Sequence, residues 1–306
     1  MPSQVDRVIE RWSAQAENPS EFSAAVYWLA IPEVHAYFTR RATGGLNYPD
    51  WVTYCLGEFL APILPAERML SIGCGTGGLE RQLAAKNAFA QCDAFDISSA
   101  AIDLARQHAN EAGFHHIEYR ADDGNHVNLP FRHYDAIWFN GSLHHIEALE
   151  HLLLECAGAL KPNGWLLVNE YVGASRFALT SRQKTLLNAL FAMIPERYRR
   201  SFVPGAPQYA SAPAIPDPLM VAHTDPSEAV RSGEILEVLQ RYFTIVRLNK
   251  SGGSLLQFLL SGIAGNFAGD DLDAKRVLQI LMQIEETLID IGDLESDFVL
   301  IAAQAK

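Results

Sequence analysis

The sequence predicts an α/β fold, a mostly parallel sheet with helices on both faces. Two observations carry this prediction. Between residues 66 and 170, short apolar runs alternate with helical segments through brief links, the pattern of parallel strands joined by crossover helices. Within that region, Met69-Leu70-Ser71-Ile72-Gly73-Cys74-Gly75-Thr76-Gly77-Gly78-Leu79-Glu80 reads as a buried strand, a glycine turn and a helix start. Such a junction cradles a polar small molecule, because glycines let it approach the backbone and free helix N–H groups point at it.

The elements follow in order. Residues 1–62 read as a helical N-terminal extension, or lid. Its first helix, 3–17, carries Val5, Val8, Ile9 and Trp12 on one stripe and Ser3 and Asp6 as caps. Pro19-Ser20-Glu21 and Pro32-Glu33 start two more short helices. A loop from Thr43 to Pro49 precedes a helix over 50–60. The aromatic residues Tyr27, Trp28, His35, Tyr37, Tyr48 and Trp51 read mostly as packing.

Residues 63–173 form the core. After the glycine turn comes the run Ala94-Phe95-Asp96-Ile97, whose carboxylate suits a ribose diol. Ser98 caps a helix that Gly113 stops. A third strand, 117–120, leads to Asp122-Asp123-Gly124-Asn125, and a fourth ends at Asn140. A helix over 147–160 precedes Leu160-Lys161-Pro162-Asn163-Gly164 and a fifth strand. Gly73, Asp96, Asp123 and Asn140 all follow strands, so they should converge on one crevice at the carboxyl edge.

Residues 174–224 interrupt the pattern. Arg176, Arg182, Lys184, Arg197, Arg199 and Arg200 face only Glu196 across 171–206, a local charge of +5. A Pro- and Ala-rich stretch, 204–218, reads as a mobile loop over the site. Residues 225–306 complete the core. Asp225 as N-cap, Pro226 at N1 and Glu228 at N3 predict a helix start. Strands at 242–248 and 298–303 flank an insert with helical segments at 255–263 and 277–289.

Two readings of the glycines stand side by side. Gly73, Gly75 and Gly78 fit the dinucleotide pattern G-x-G-x-x-G, with Asp96 near the usual offset. Gly73, Gly75 and Gly77 fit G-x-G-x-G, which resembles motif I of class I S-adenosylmethionine (SAM) methyltransferases of the type 11/12 kind. That resemblance extends through Asp122-Asp123-Gly124-Asn125 and Tyr134-Asp135-Ala136-Ile137-Trp138-Phe139-Asn140-Gly141-Ser142-Leu143-His144-His145-Ile146. It ends at Leu160-Lys161-Pro162-Asn163-Gly164, where Asn163 stands for a glycine. The motifs run in family order over residues 69–173.

The resemblance implies a Rossmann-like seven-stranded sheet whose last two strands pair antiparallel. It implies SAM as cofactor and S-adenosylhomocysteine (SAH) as product. Gly73, Cys74, Gly75 and Gly77 would meet the methionine end, Asp96 and Ile97 the ribose, and Asp123 (or its neighbour Asp122) with Gly124 the adenine. Asn140 follows in motif IV. Chemistry falls to His145, His144 and Glu170: either histidine as a base, with His145 preferred, and Glu170 orienting it or the acceptor. The continuation Glu170-Tyr171-Val172-Gly173 and the Arg-rich insert resemble bacterial enzymes of glycan or secondary-metabolite pathways. A small-molecule or saccharide acceptor is implied, with an anionic one suggested by the basic insert. Methyl transfer to oxygen is the first choice and to nitrogen the second. The alternatives are a SAM-binding protein without methyl transfer and a nicotinamide-dependent dehydrogenase.

Composition bounds the rest. A charge of −12 on 306 residues argues against nucleic-acid binding, which needs a basic face. No apolar run reaches bilayer length and no leader is evident, so a cytoplasmic chain without a membrane span is expected. The scattered Cys55, Cys74, Cys92 and Cys156 predict free thiols. No Cys/His spacing suggests a metal. A homodimer is one option for the 255–263 segment.

Overall fold

The structure, a computed structural model, describes residues 3–17 and 24–306. It begins with α1 (Gln4–Glu17), α2 (Pro32–Ala42) and α3 (Trp51–Cys55). The core alternates β1 (Ala66–Ile72), α4 (Gly78–Ala85), β2 (Phe89–Asp96), α5 (Ser99–Glu111), β3 (Ile117–Ala121), β4 (Tyr134–Asn140), α6 (Leu149–Ala159) and β5 (Leu160–Tyr171). Then come α7 (Ser181–Met193), α8 (Pro218–Thr224), α9 (Ile235–Tyr242), β6 (Phe243–Gly252), α10 (Leu256–Leu260), α11 (Leu272–Asp290) and β7 (Phe298–Ala305).

One seven-stranded sheet has the order β3-β2-β1-β4-β5-β7-β6. β7 alone runs antiparallel, pairing with both β5 and β6. The sheet is built from residues that suit burial on two faces: Met69, Leu70, Ile72, Phe95, Trp138 and Phe139 are fully enclosed. Its order reverses between β1 and β4, which places the crevice at their carboxyl ends.

Local signals explain the helix boundaries. In α1, Ser3 and Asp6 exchange side-chain and backbone hydrogen bonds of 2.8 and 3.1 Å, a capping box. Ser98 Oγ accepts from Ala101 N at the start of α5, and Gly113 follows its end at φ +77°. Asp50 caps α3 through Thr53 N. The Pro19-Ser20-Glu21 start lies outside the described residues.

A second apolar core lies beside the sheet. Trp28, Ile31 and Val34 meet Leu187 and Phe191 of α7, Leu256 and Leu259 of α10, and Leu278 and Leu281 of α11. The insert between β6 and β7 therefore packs against the N-terminal helices and the insert after β5. Glu285 of α11 is fully buried there and accepts the N–H groups of Gly253, Leu255 and Leu256 that open α10.

One expected element is absent. No helix starts at Asp225. Its Oδ1 accepts from Ser227 N at 2.8 Å, which folds the chain into a turn, and the helix α9 begins only at Ile235. Glu228, the expected capping partner at N3, turns toward His144 instead, with Oε1 3.7 Å from Nε2.

Candidate active site

The glycine turn after β1 takes the shape its residues require. Gly73, Gly75 and Gly77 all have positive φ, at +68°, +52° and +78°. A Cβ on Gly73 would stand 2.3 Å from that of Ser142, whereas one on Gly75 would meet nothing within 4 Å. The turn is thus packed on one side and open on the other. Asp96 ties it to β2: Oδ2 accepts Gly75 N and Oδ1 accepts Ser98 N, both at 2.9 Å. Burial raises the Asp96 pKa, and these backbone donors oppose the rise.

A cavity of about 670 Å³ opens at this edge. Gly73, Cys74, Gly75, Asp96, Ile97, Asp122, Asp123, Gly124, Asn140 and His145 all line it. Gly77 lies just behind, as the left-handed N-cap of α4. Of the two adjacent acids, Asp123 accepts from Asn125 N and Nδ2 and meets His126 Nδ1, all at 2.9 Å. Asp122 accepts from Arg120 and from Asp123 N. Asn140 Oδ1 accepts from Asn169 Nδ2.

The remaining wall comes from α1 and from the turn that follows α8. Val5, Val8 and Trp12 of α1 face the cavity, so the stripe read from the sequence covers a site rather than core alone. Ser13 of α1 fastens this helix to Ser98 by a 3.0 Å hydrogen bond. Pro226, Ser227 and Val230 line the other side. No sequence signal marked them, because the pattern there reads as a helix cap.

The histidine loop has a definite internal order. Glu170 is buried, and its carboxylate accepts the N–H groups of Ser142, Leu143 and Tyr171 and the Nδ1 proton of His144. It faces this loop and not the crevice, which corrects the expected position. His144 also lies behind the wall, with its second nitrogen toward Glu228. Burial disfavours the His144 cation, but the charge and hydrogen bond of Glu170 outweigh that and raise its pKa to about 9. His145 lines the cavity, its ring edge-on to Trp12 at 4.7 Å and 4.0 Å from the His144 ring. Burial and the His144 cation push its pKa well below the usual imidazole value. The pair is therefore one charged and one neutral ring near pH 7.

The basic insert is not a collected patch. Arg176 donates to the carbonyls of Asp225 (3.2 Å), Pro226 and Glu228 (2.9 Å), clamping the turn that carries Ser227. Arg182 pairs with Asp293 and Arg197 with Asp273. Among the described residues, no Arg or Lys lines the cavity. Among the described residues, His144, His145 and Glu228 bring ligand atoms within 4.8 Å of one another, but internal contacts already engage all three. The four cysteines are free, three of them buried. No described helix is long and apolar enough to cross a membrane.

Comparison with known proteins agrees with this geometry. Residues 70–168 match the family model described as a methyltransferase domain. The chain is 31% identical over 144 residues to an uncharacterized protein of Synechococcus sp., covering 46% of this chain and 33% of that one. It is 28% identical over 131 residues to a fatty-acid O-methyltransferase of Mycolicibacterium smegmatis (43% and 46% covered). Against a ubiquinone biosynthesis O-methyltransferase of Burkholderia orbicola it is 29% identical over 150 residues (48% and 58%). The chain thus spans a third to somewhat over half of these relatives' lengths. Among solved structures, the geranyl diphosphate C-methyltransferase of Streptomyces coelicolor A3(2) superposes with TM-score 0.53 at 15% identity, covering 100% of this chain and 99% of the other. The [4+2]-cyclase SpnF gives 0.51 at 17%, covering 100% and 96%. Both share the fold. Residues 70–168 carry a methyltransferase domain, and of the two glycine readings the SAM one agrees with it. The residues fit that cofactor: an open glycine turn, a strand-end carboxylate, and a cavity wall with acids and, among the described residues, no Arg or Lys.

Proposed function

We propose that the chain transfers a methyl group from SAM to a hydroxyl of a small molecule, with His145 as the base. SAM supplies the activated methyl on its sulfonium, so the protein's task is to align the acceptor and take its proton. The observation that carries the reading is the position of His145: a neutral histidine in the wall of the same cavity as the Gly73–Gly75 turn. Gly73, Cys74 and Gly75 hold the methionine end, with Gly77 shaping the turn beneath. Asp96 and Ile97 hold the ribose, and Asp123 and Gly124 the adenine. Asn140 borders the methionine end. His144 and Glu170 stand behind His145 and fix the loop.

The acceptor is uncharged with an apolar body. Val5, Val8, Trp12, Ile146 and Val230 supply apolar wall, and the absence of Arg and Lys among the described lining residues leaves an anion without a counter-charge. The carboxylates at this edge would repel one. A saccharide is a weaker candidate than a hydroxylated aromatic or aliphatic compound, and the relatives named O-methyltransferases support oxygen as the nucleophile.

The test is a screen of neutral hydroxyl compounds with methyl-labelled SAM. His145→Ala should lower single-turnover methylation by about 10²–10⁴-fold and leave SAH affinity within about threefold. A variant that turns over like the parent, with cofactor and acceptor bound, sinks the assignment of the base.

A further inference from the structure

We infer that Asp225 and Ser227 decide which nitrogen of His145 carries its proton, and so make Nε2 the proton-accepting atom of the cavity. The inference rests on the reading of His145 as a base and adds two positioning residues to it.

The argument is a count of protons. The Ser227 hydroxyl has one. It stands 2.6 Å from Asp225 Oδ1, the distance of a charge-assisted bond, and donates to it. The same carboxylate oxygen accepts Ser227 N at 2.8 Å, which holds the hydroxyl in place. With its proton committed, Ser227 Oγ meets His145 Nδ1, 3.2 Å away, with lone pairs only. Nδ1 must then be the donor. A neutral imidazole has a single N–H, so Nε2 is left with a lone pair.

The surroundings agree. His145 Nε2 makes no hydrogen bond to any described residue, and it is not among the fully enclosed polar atoms that lack a partner. It remains reachable in a ring that lines the cavity. Were Asp225 absent, the serine hydroxyl would turn to donate to Nδ1. The imidazole proton would then sit on Nε2, and the cavity would face a donor where it needs an acceptor. Asp225 is 5% exposed, and the Arg176 clamp on its carbonyl fixes its place. A role for Asp225 in shaping the turn alone accounts for the bond to Ser227 N but predicts no control over the ring.

The experiment reads the tautomer directly. The full chain is labelled with ¹⁵N-histidine and recorded by long-range ¹H–¹⁵N correlation at pH 7.5, with His145→Gln assigning the signals. The wild type should show a protonated Nδ1 and a lone-pair Nε2. Asp225→Ala should move the tautomer ratio toward Nε2–H by about tenfold. Ser227→Ala, which keeps the Asp225 bond to the backbone, should also move it, and Ser227→Thr should restore it. This second pair decides the matter where Asp225→Ala fails to fold. A wild-type ring protonated on Nε2 or on both nitrogens overturns the inference. So does a ratio indifferent to the Ser227 changes. The base reading fails separately: its failure is normal turnover by His145→Ala, whatever the tautomer.

Discussion

Glu170 stands behind His144 and accepts its Nδ1 proton, while the same carboxylate takes the backbone N–H groups of Ser142, Leu143 and Tyr171. The contact holds a cation against His145 without exposing a charge to the cavity. Two adjacent, sequence-identical residues are thereby pushed in opposite directions, His144 up to about 9 and His145 well down.

Glu170→Gln removes the negative charge. The His144 pKa should then fall well below 9, because only Glu228 and Asp225 are left to oppose burial. The His145 pKa should rise as its cationic neighbour disappears. The sign for stability follows. A histidine raised in the fold contributes stability that is complete below pH 6.5 and is lost as pH rises to about 9. The wild type should therefore lose stability across that window and the variant should not. Histidine NMR titrations and denaturant melts at pH 6 and 9 check both. An unshifted His144 in the variant refutes the pairing.

The ribose contact proposed for Asp96 can be tested by removing its carboxylate. Asp96→Ala should weaken SAH binding by about tenfold to a hundredfold, since a buried acceptor with several donors costs about 1–3 kcal/mol to remove. Calorimetry gives the answer, and unchanged affinity contradicts the placement.

Gly73→Ala meets two obstacles at once. Its φ of +68° disfavours any side chain, and the new Cβ would lie 2.3 Å from Ser142 Cβ. A loss of about 1–3 kcal/mol in stability is expected, larger than Gly75→Ala produces, because a Cβ on Gly75 meets no protein atom within 4 Å. Equal effects at the two positions would show that the packing against Ser142 is soft.

Glu80 is fully buried in α4, and neither carboxylate oxygen has a hydrogen-bond partner among the described residues. Burial raises its pKa to about 7 from 4.5. The folded state then holds a proton the unfolded state has released, so stability declines from pH 4.5 to about 7. Glu80→Gln should match the wild type near pH 5 and exceed its Tm by several degrees at pH 8, a gain on the order of 2–3 kcal/mol. An identical Tm difference at both pH values would exclude ionisation as the cause.

The sheet and the cofactor cradle were legible because their signals are local. Gly73, Gly75 and Gly77 need their unusual φ whatever surrounds them, and Asp96 sits at a strand end by period alone. Asp225-Pro226-Ser227-Glu228 carries the pattern of a helix start but folds as a turn, for a physical reason. An acceptor side chain taking the N–H two residues on opens a helix and a tight turn alike. What selects the turn is Arg176, 49 to 52 positions away, gathering the carbonyls. The apparent basic patch failed similarly. Its charges were counted along the chain, but Arg182 and Arg197 find their partners 111 and 76 residues on. The direction of Glu170 also depends on Leu143 and Tyr171 N–H groups that no sequence pattern announces.

The acidic lining of the cavity has a bearing on turnover. Asp96, Asp122, Asp123 and Glu147 border it with no lysine or arginine among them. A sulfonium arrives as a cation and leaves as a neutral thioether. In the proposed reaction the wall would hold fresh donor more tightly than spent product, and the vanishing charge would favour their exchange. Raising ionic strength should erode this preference by weakening the donor's affinity while sparing the product's.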